Sequence, residues 1–329
     1  MNKLKERIVT FLVDTGMLKR IGAIYCDVYG VSLRNYEDIL RKGYRFSYEF
    51  ETYKSKETMD EYVDRMMISD SGKKVLPRIT FSIGSVCTLN CKFCSEFIPY
   101  FNKKKLISYE QVNLEIDRIL EVVDKLVVAE LIGGEPFLHP RIDEIIEKLC
   151  NSDKVRFVEI TTNAKVPFQQ RWIHALRNPK VRINISDYDS NNKEEVQCYS
   201  KIFEDNNIWY RFYTSEEMKW VDCGQLEKEE RTEVQNSFCY LTCDCSALCR
   251  TIYDGKIYVC ASAPVMFANG LLKTDNSYLD LSNISDFDDI KKFFERTNSE
   301  ACDFCKMNNY HPRVLTNKER GVQIDQNCR

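Results

Sequence analysis

The sequence predicts an α/β protein built on a parallel sheet that is curved or closed into a barrel. Two observations carry this. From Arg78 to about Thr214 the chain alternates strand-like and helix-like segments, the pattern of βα units joined by right-handed crossovers. Within that stretch VVAELIGG is a continuous apolar run, as expected of a parallel strand covered on both faces.

The elements follow in order. Residues 1–77 read as a preface: Leu4, Ile8, Phe11, Leu12 and Leu18 lie near one face of a helix. The Tyr-rich segment from Tyr44 to Tyr62 shows no resolvable period, and SDSGKKVLP (Ser69 to Pro77) reads as a linker. RITFSIG is a β-branched and aromatic strand, and Val112, Ile116, Ile119, Leu120 and Val123 mark a helix after it. HPRIDEIIEKLCN is a second helix, with Pro140 tolerated near its start. VRFVEITTN, FQQRWIHALRN, VRINIS, KEEVQCYSKIFED and IWYRFY continue the alternation. Beyond it the alternation fails and cysteines crowd in. The expected division is an N-terminal extension over 1–77, a barrel over 78–225 and a cysteine-rich domain over 226–329.

A chain of 329 residues is long enough for about two domains, and 47 basic against 50 acidic side chains leave a net charge of −3. That balance offers no electrostatic case for nucleic acid. No stretch approaches the roughly 18 apolar residues of a membrane helix, and the first twenty residues lack a cleavage site. The expectation is a cytoplasmic, reducing setting. There the 15 cysteines, an odd number in a chain of this length, read as metal ligands or catalytic groups rather than a disulfide framework.

Cys87, Cys91 and Cys94 follow directly on the first strand. Three thiolates on one loop can share a metal centre, and three ligands leave one position open for a substrate or cofactor; a zinc loop borrowing a fourth ligand is the competing reading. C-x3-C-x2-C with Phe93 before its last cysteine resembles the radical S-adenosylmethionine (SAM) superfamily. The resemblance implies a partial (βα)6 TIM-like barrel. It also implies a [4Fe–4S] cluster on Cys87, Cys91 and Cys94, whose open iron chelates SAM and cleaves it to methionine and a 5′-deoxyadenosyl radical. Gly133-Gly134-Glu135-Pro136 resembles the family's GGEP element, with the glycines allowing close approach and Glu135 offering a charge to the SAM ammonium. Thr162 and Asn163 resemble a polar strand end facing SAM, and Ser186 and Asp187 the position that bonds its ribose. All four features fall at strand C-termini, where barrel enzymes place their chemistry. Individually, Thr162, Ser186 and Asp187 read equally as caps or turns.

A second set comprises Cys239, Cys243, Cys245, Cys249 and Cys260, followed by Cys302-x2-Cys305. Asp254-Gly255 between apolar alternations marks a hairpin that Cys260 ends. A cysteine before the hairpin, one at its end and a distant C-x2-C make a four-thiolate site for zinc or iron–sulfur. The layout resembles the twitch and SPASM extensions of radical SAM enzymes, which implies one auxiliary [4Fe–4S] cluster. The preferred ligands are Cys249, Cys260, Cys302 and Cys305, with Cys243 and Cys245 as alternatives to the first. Cys26, Cys150, Cys198 and Cys328 read as bland. Cys223, near the end of the barrel, is a candidate hydrogen-atom donor for stereoinversion.

The resemblance therefore implies a SAM-cleaving oxidoreductase or epimerase acting on a carbohydrate-type small molecule: a nucleotide-linked sugar, a polyol or an aminocyclitol. A flavodoxin- or ferredoxin-like protein would supply electrons. The alternatives are a maturase of a ribosomal peptide, which would use an N-terminal run of strands to hold a leader, and a non-catalytic metal-binding interaction protein.

Overall fold

The computed structural model describes residues 35–51, 57–188, 193–213, 220–221, 223–224, 226–306 and 314–315. The helix expected over Leu4–Leu18, together with Cys26 and Cys328, lies outside them. Two helices come first, α1 (Tyr36–Glu51) and α2 (Met59–Ser69). The strands β1 (Val75–Ser82), β2 (Lys125–Ile132), β3 (Val155–Thr162), β4 (Val181–Ser186) and β5 (Tyr210–Tyr213) follow. Between them run α3 (Tyr109–Val122), α4 (Ile142–Asn151), the short α5 (Ile173–Leu176) and α6 (Lys193–Asp205). Beyond them are β6 (Trp220–Val221), α7 (Glu233–Thr242), α8 (Asp244–Leu248), β7 (Thr251–Tyr253), β8 (Lys256–Tyr258), α9 (Ala263–Ala268), β9 (Tyr278–Asp280), α10 (Phe287–Phe294) and β10 (Val314–Leu315).

The strands β5-β4-β3-β2-β1-β7-β8-β9 form one eight-stranded sheet. β1 to β5 are parallel in chain order, as the alternation predicts. β7 pairs parallel with the free edge of β1, Thr80 facing Thr251, and β8 and β9 add on antiparallel. The cysteine-rich part of the chain is thereby hydrogen-bonded into the barrel's own sheet. β6 pairs instead with β10 in a separate two-stranded ladder.

The sheet is concave. Arg78 of β1 reaches Glu159 of β3 across the intervening β2, where it also pairs with Glu130 at 2.7 Å. Apolar faces of the helices cover the convex side, with Val112, Ile116 and Ile119 of α3 and Ile142, Ile145, Ile146 and Leu149 of α4 all buried. Burying one such side chain contributes about 1.5–3 kcal/mol relative to leaving it exposed.

The preface differs from expectation. Residues Tyr44 to Tyr62, unreadable as a period, belong largely to α1 and α2, which bury Tyr36, Gly43, Tyr44, Ser47 and Tyr62 alongside Ile39, Phe50, Val63 and Met66. The expected linker is not one: Val75, Leu76 and Pro77 already belong to β1, and Val75 and Leu76 are buried. Gly43 has a packing reason, since a Cβ there would lie 2.3 Å from the Pro77 Cβ. α1 covers the concave side near the strand N-termini, with Phe46 4.3 Å beneath the Arg78 guanidinium and Phe50 edge-on to Phe157 and Trp209.

The hairpin appears as read. Asp254 and Gly255 have φ of 50° and 82°, the positive pair a tight primed turn requires. The Glu115 carboxylate of α3 accepts the Gly255 N–H at 2.7 Å and Gln111 Nε2 at 3.0 Å, tying that turn to the barrel. Glu115 is 1% exposed, and burial pushes its carboxyl up to about 7. A raised carboxyl favours the folded state at low pH, and that contribution is lost as pH climbs from the unfolded value through 7. Glu115→Gln keeps the acceptor and removes the charge. We expect urea unfolding at pH 8 to show the variant more stable relative to wild type than at pH 5, by at most about 3 kcal/mol; an equal difference at both pH values would refute this.

Candidate active site

Four strand ends meet at the C-terminal rim of the barrel. After β1 the chain turns through Gly84 to Val86 into the loop carrying Cys87, Cys91 and Cys94. That loop is stitched to the end of β2 by main-chain bonds from Gly134 N–H to Gly84 O and from Glu135 N–H to Val86 O, both 2.9 Å. The approach is so close that a Cβ on Gly133 would lie 2.2 Å from Gly84 O, and one on Gly134 would lie 2.0 Å from Val86 O. Gly133 also has a φ of 144°. The sequence assigned these glycines to a ligand's approach; in the structure what approaches them is the cysteine loop itself.

A cavity of about 210 Å3 opens between the loop and the strand ends. Cys87, Cys91 and Cys94 line it on one side, and Gly133, Gly134, Thr162, Asn163 and Ser186 on the other. Asn163 Nδ2 donates to Cys87 Sγ at 3.5 Å, and its Oδ1 accepts from Thr88 Oγ1 at 3.1 Å, so the strand end of β3 orients the first cysteine. Burial pushes the Cys87 thiol up, and burial with Cys91 alongside pushes Cys94 to about 12, so metal binding here must displace protons.

The remaining predicted residues do not line this cavity. Glu135 is 2% exposed, and its carboxylate accepts Thr162 Oγ1 at 2.7 Å, the Asn163 N–H at 2.8 Å and the Phe137 N–H at 3.2 Å. It latches β2 to β3 beside the cavity, bonded to two of the lining residues and within electrostatic reach of Cys87. Burial raises it to about 7 despite those three donors. Phe93 and Pro136 are buried and, like Asp187, stand off the cavity lining.

A second cavity, of about 190 Å3, gathers Cys223, Cys239, Cys243, Cys245, Cys249, Cys260, Cys302 and Cys305 around it. Among the described residues no three His, Cys, Asp or Glu side chains converge on a point as a single ion would require. Four thiolates drawn from this set would suit zinc or an iron–sulfur cluster. Of the alternatives for the first ligand, Cys243 is within electrostatic reach of Cys260 and Cys302, Cys249 is within reach of Arg78, and Cys245 bonds both Cys243 and Cys249. Cys223 is 3% exposed and lines this second cavity rather than the first. Cys150 is buried in α4, and Cys198 is exposed on α6.

Sequence reasoning missed the wall between the cavities. Ser95, Glu96 and Glu130 line both, with Arg78 and Thr80 beside them on the second. Thr80 Oγ1 donates to Glu130 at 2.6 Å. Burial, with Glu130 nearby, pushes Glu96 up to about 8. The available signal was the strand alternation that turns Arg78, Thr80 and Glu130 inward; as polar residues inside apolar strands they mark a polar interior.

Residues 81–209 match the family model described as the Radical SAM superfamily. A GTP 3',8-cyclase of Aquifex aeolicus is 28% identical over 144 residues, 41% of this chain and 42% of that protein. An S-adenosylmethionine-dependent nucleotide dehydratase of Flammeovirga pacifica is 32% identical over 83 residues, 24% of this chain and 28% of that protein. These matches thus span less than half of each relative. Among solved structures, BtrN in complex with AdoMet and 2-DOIA aligns at a TM-score of 0.49 and 12% identity, over 77% of this chain and 100% of that one. The enzyme anSMEcpe with bound AdoMet aligns at 0.46 and 14%, over 70% and 83%.

The glycine contacts generate a test. In Gly134→Ala the new methyl meets main chain that cannot swing aside, so the sheet should form while the three-cysteine loop is displaced. Should the loop hold an iron–sulfur cluster, the variant is expected to bind less iron than wild type and, if the chain cleaves SAM, to release at least about a hundredfold less 5′-deoxyadenosine after reconstitution. Wild-type iron content and turnover would show that the loop absorbs the shift.

Proposed function

Because residues 81–209 belong to the radical SAM superfamily, we propose that this chain cleaves SAM and takes a hydrogen atom from a small polyhydroxylated molecule, epimerising or dehydrogenating it. Cys87, Cys91 and Cys94 would hold the [4Fe–4S] cluster, with Gly133, Gly134, Thr162, Asn163 and Ser186 around SAM. The cluster, when bound, supplies the electron that splits SAM and generates the abstracting radical. Cys260, Cys302, Cys305 and Cys243 would hold an auxiliary cluster, and a flavodoxin- or ferredoxin-like protein would donate electrons.

The observation that carries the substrate class is the wall shared by the cavities. Glu96, Glu130, Ser95 and Thr80 present acceptors and hydroxyls suited to a substrate rich in O–H or N–H donors. Among the described lining residues Arg78 is the only cation, and Glu130 and Glu159 already engage it. A polyol or aminocyclitol fits this wall, whereas a triphosphate would meet Glu130, already paired with Arg78, with no further guanidinium or ammonium among the described lining residues to hold it. Within the carbohydrate class this favours substrates without phosphate over nucleotide-linked sugars. Cys223 is the proposed hydrogen-atom donor if the outcome is epimerisation.

A second reading, a nucleotide substrate, is favoured by the names of the Aquifex and Flammeovirga relatives. The two separate in one assay: anaerobic reconstitution, reduction, and quantification of 5′-deoxyadenosine with polyols and aminocyclitols in one pool and nucleotides in another. Stimulation by the first pool is expected. Stimulation by nucleotides alone transfers the proposal to the second reading, and no release from a clustered, reduced protein overturns both. Glu130→Gln should lower kcat/KM for the stimulating compound by at least roughly ten- to a hundredfold, the worth of one charged hydrogen bond, with the variant's stability measured alongside because Glu130 also pairs with Arg78.

A further inference from the structure

Arg250 follows Cys249 at the entrance to β7 and is 0% exposed. Its guanidinium donates to Val259 O at 2.7 Å, to the Tyr240 hydroxyl at 2.6 Å and to Phe294 O at 3.1 Å. Its Nε–H, also buried, has no partner. The rings of Phe294, Phe293 and Tyr240 surround it at 4.8, 5.1 and 5.5 Å. Among the described residues no carboxylate forms an ion pair with it.

A guanidinium does not shed its proton, so this charge is permanent, and buried charges are ordinarily paired. Aromatic faces and the carbonyl end of α10, of which Phe294 is the last residue, compensate it in part. A second guanidinium, Arg296, lies within electrostatic reach: burial disfavours its charge, Tyr240 and Asp275 favour it, and Arg250 opposes it least of the four. The missing negative charge has an evident source. Cys249, Tyr240 and Val259, the residue before Arg250 and two of its hydrogen-bond partners, line the thiol cavity. Cysteines ligate as thiolates, so a cluster held there is anionic.

We infer that Arg250 is the built-in counter-charge of the auxiliary cluster, set behind the ligands and holding the cluster's reduction potential up. This rests on the auxiliary-cluster reading above. An added electron makes the cluster more negative, so a fixed cation behind it favours the reduced form; net charge and surrounding polar groups are the protein's levers on such potentials. Arg250 touches neither substrate nor reacting atoms in this account and acts as a positioning residue for charge.

The test is potentiometric titration of anaerobically reconstituted full-length protein, followed by electron paramagnetic resonance, for wild type, Arg250→Gln and Arg250→Lys. In the Gln variant we expect the reduced fraction of the auxiliary cluster to fall about tenfold at fixed ambient potential, 59 mV for one electron. Lys should restore most of it, and the SAM-binding cluster should not move. A Gln variant with full iron and an unmoved auxiliary potential overturns the inference and leaves Arg250 a packing residue. Loss of auxiliary iron in Gln and Lys alike also overturns it, because charge would then not be what the site needs; loss in Gln alone, with Lys retaining the cluster at wild-type potential, supports it. If wild type itself carries only one cluster's worth of iron and one signal, the auxiliary-cluster reading fails instead.

Discussion

A guanidinium held inside the barrel organises its whole concave face. Arg78 of β1 pairs with Glu130 of β2 and Glu159 of β3, both largely buried. Glu159 is bonded in turn by Asn184 of β4, whose Oδ1 accepts from Arg211 of β5 at 2.7 Å. Arg211 then reaches out to Glu49 of α1 at 2.6 Å. One chain of polar and charged groups thus crosses β1 to β5 and ends on the helix that covers the concave side. Such a network is little net stabilisation over an apolar core, but removing one member strands an uncompensated charge at a cost of about 3–5 kcal/mol. Specificity of arrangement follows: the strands cannot slide without unpairing Arg78. The same pairing fixes Glu130, whose carboxylate forms part of the wall between the two cavities.

The barrel was legible because burial on both faces gives strands such as VVAELIGG a run that no exposed segment mimics. The three-cysteine loop was legible because its spacing is rigid. The preface was not, because α1 seats against β1 through Gly43 and against α2 through Ser47, and buries tyrosines whose hydroxyls are satisfied internally, Tyr44 on Asp70 at 2.6 Å and Tyr36 on Val75 O at 2.8 Å. A hydroxyl satisfied this way buries like an aliphatic residue and scans like a polar one. Ser69 to Pro77 misled for a related reason: its Ser, Gly and Lys suggest a linker, and only the partner strand at Lys125 and Leu126 shows that Val75 and Leu76 are already paired. For Glu135 sequence gives a carboxylate at the rim but not its partners, which come from β3 and its own turn.

The two thiol sets differ in how they are held, and the difference has chemical consequences. The first is clamped by main chain: glycine-dependent contacts on one side and Asn163 on Cys87 on the other. Its geometry is therefore imposed before any metal arrives. The second is a ring of thiols drawn from α7, α8, the hairpin and the 302–305 turn, with more cysteines than one cluster consumes. Redundancy of that kind leaves ligand choice to distance and charge. Cys245 bonds both Cys243 and Cys249, and of those two Cys243 is the one within electrostatic reach of Cys260 and Cys302.

Both sets hang from one strand. β1 delivers Cys87 from its C-terminal end, and by its other edge it holds β7 in register, Thr80 opposite Thr251 and Phe81 opposite Ile252. The Thr80 N–H bonds Arg250 O at 2.8 Å, so the residue after Cys249 is anchored to the strand that precedes Cys87. The distance between the two cavities is consequently a property of one inter-strand hydrogen-bond ladder rather than of packing between separate bodies. Side chains alternate along that strand, and Arg78, Thr80 and Ser82 all face inward between the two thiol sets. A slip of β1 by one residue would turn that face outward, unpair Arg78 and separate the cavities in a single step. The register of β1 against β2 and β7 is thus the common constraint on fold, on charge and on the space available to a substrate.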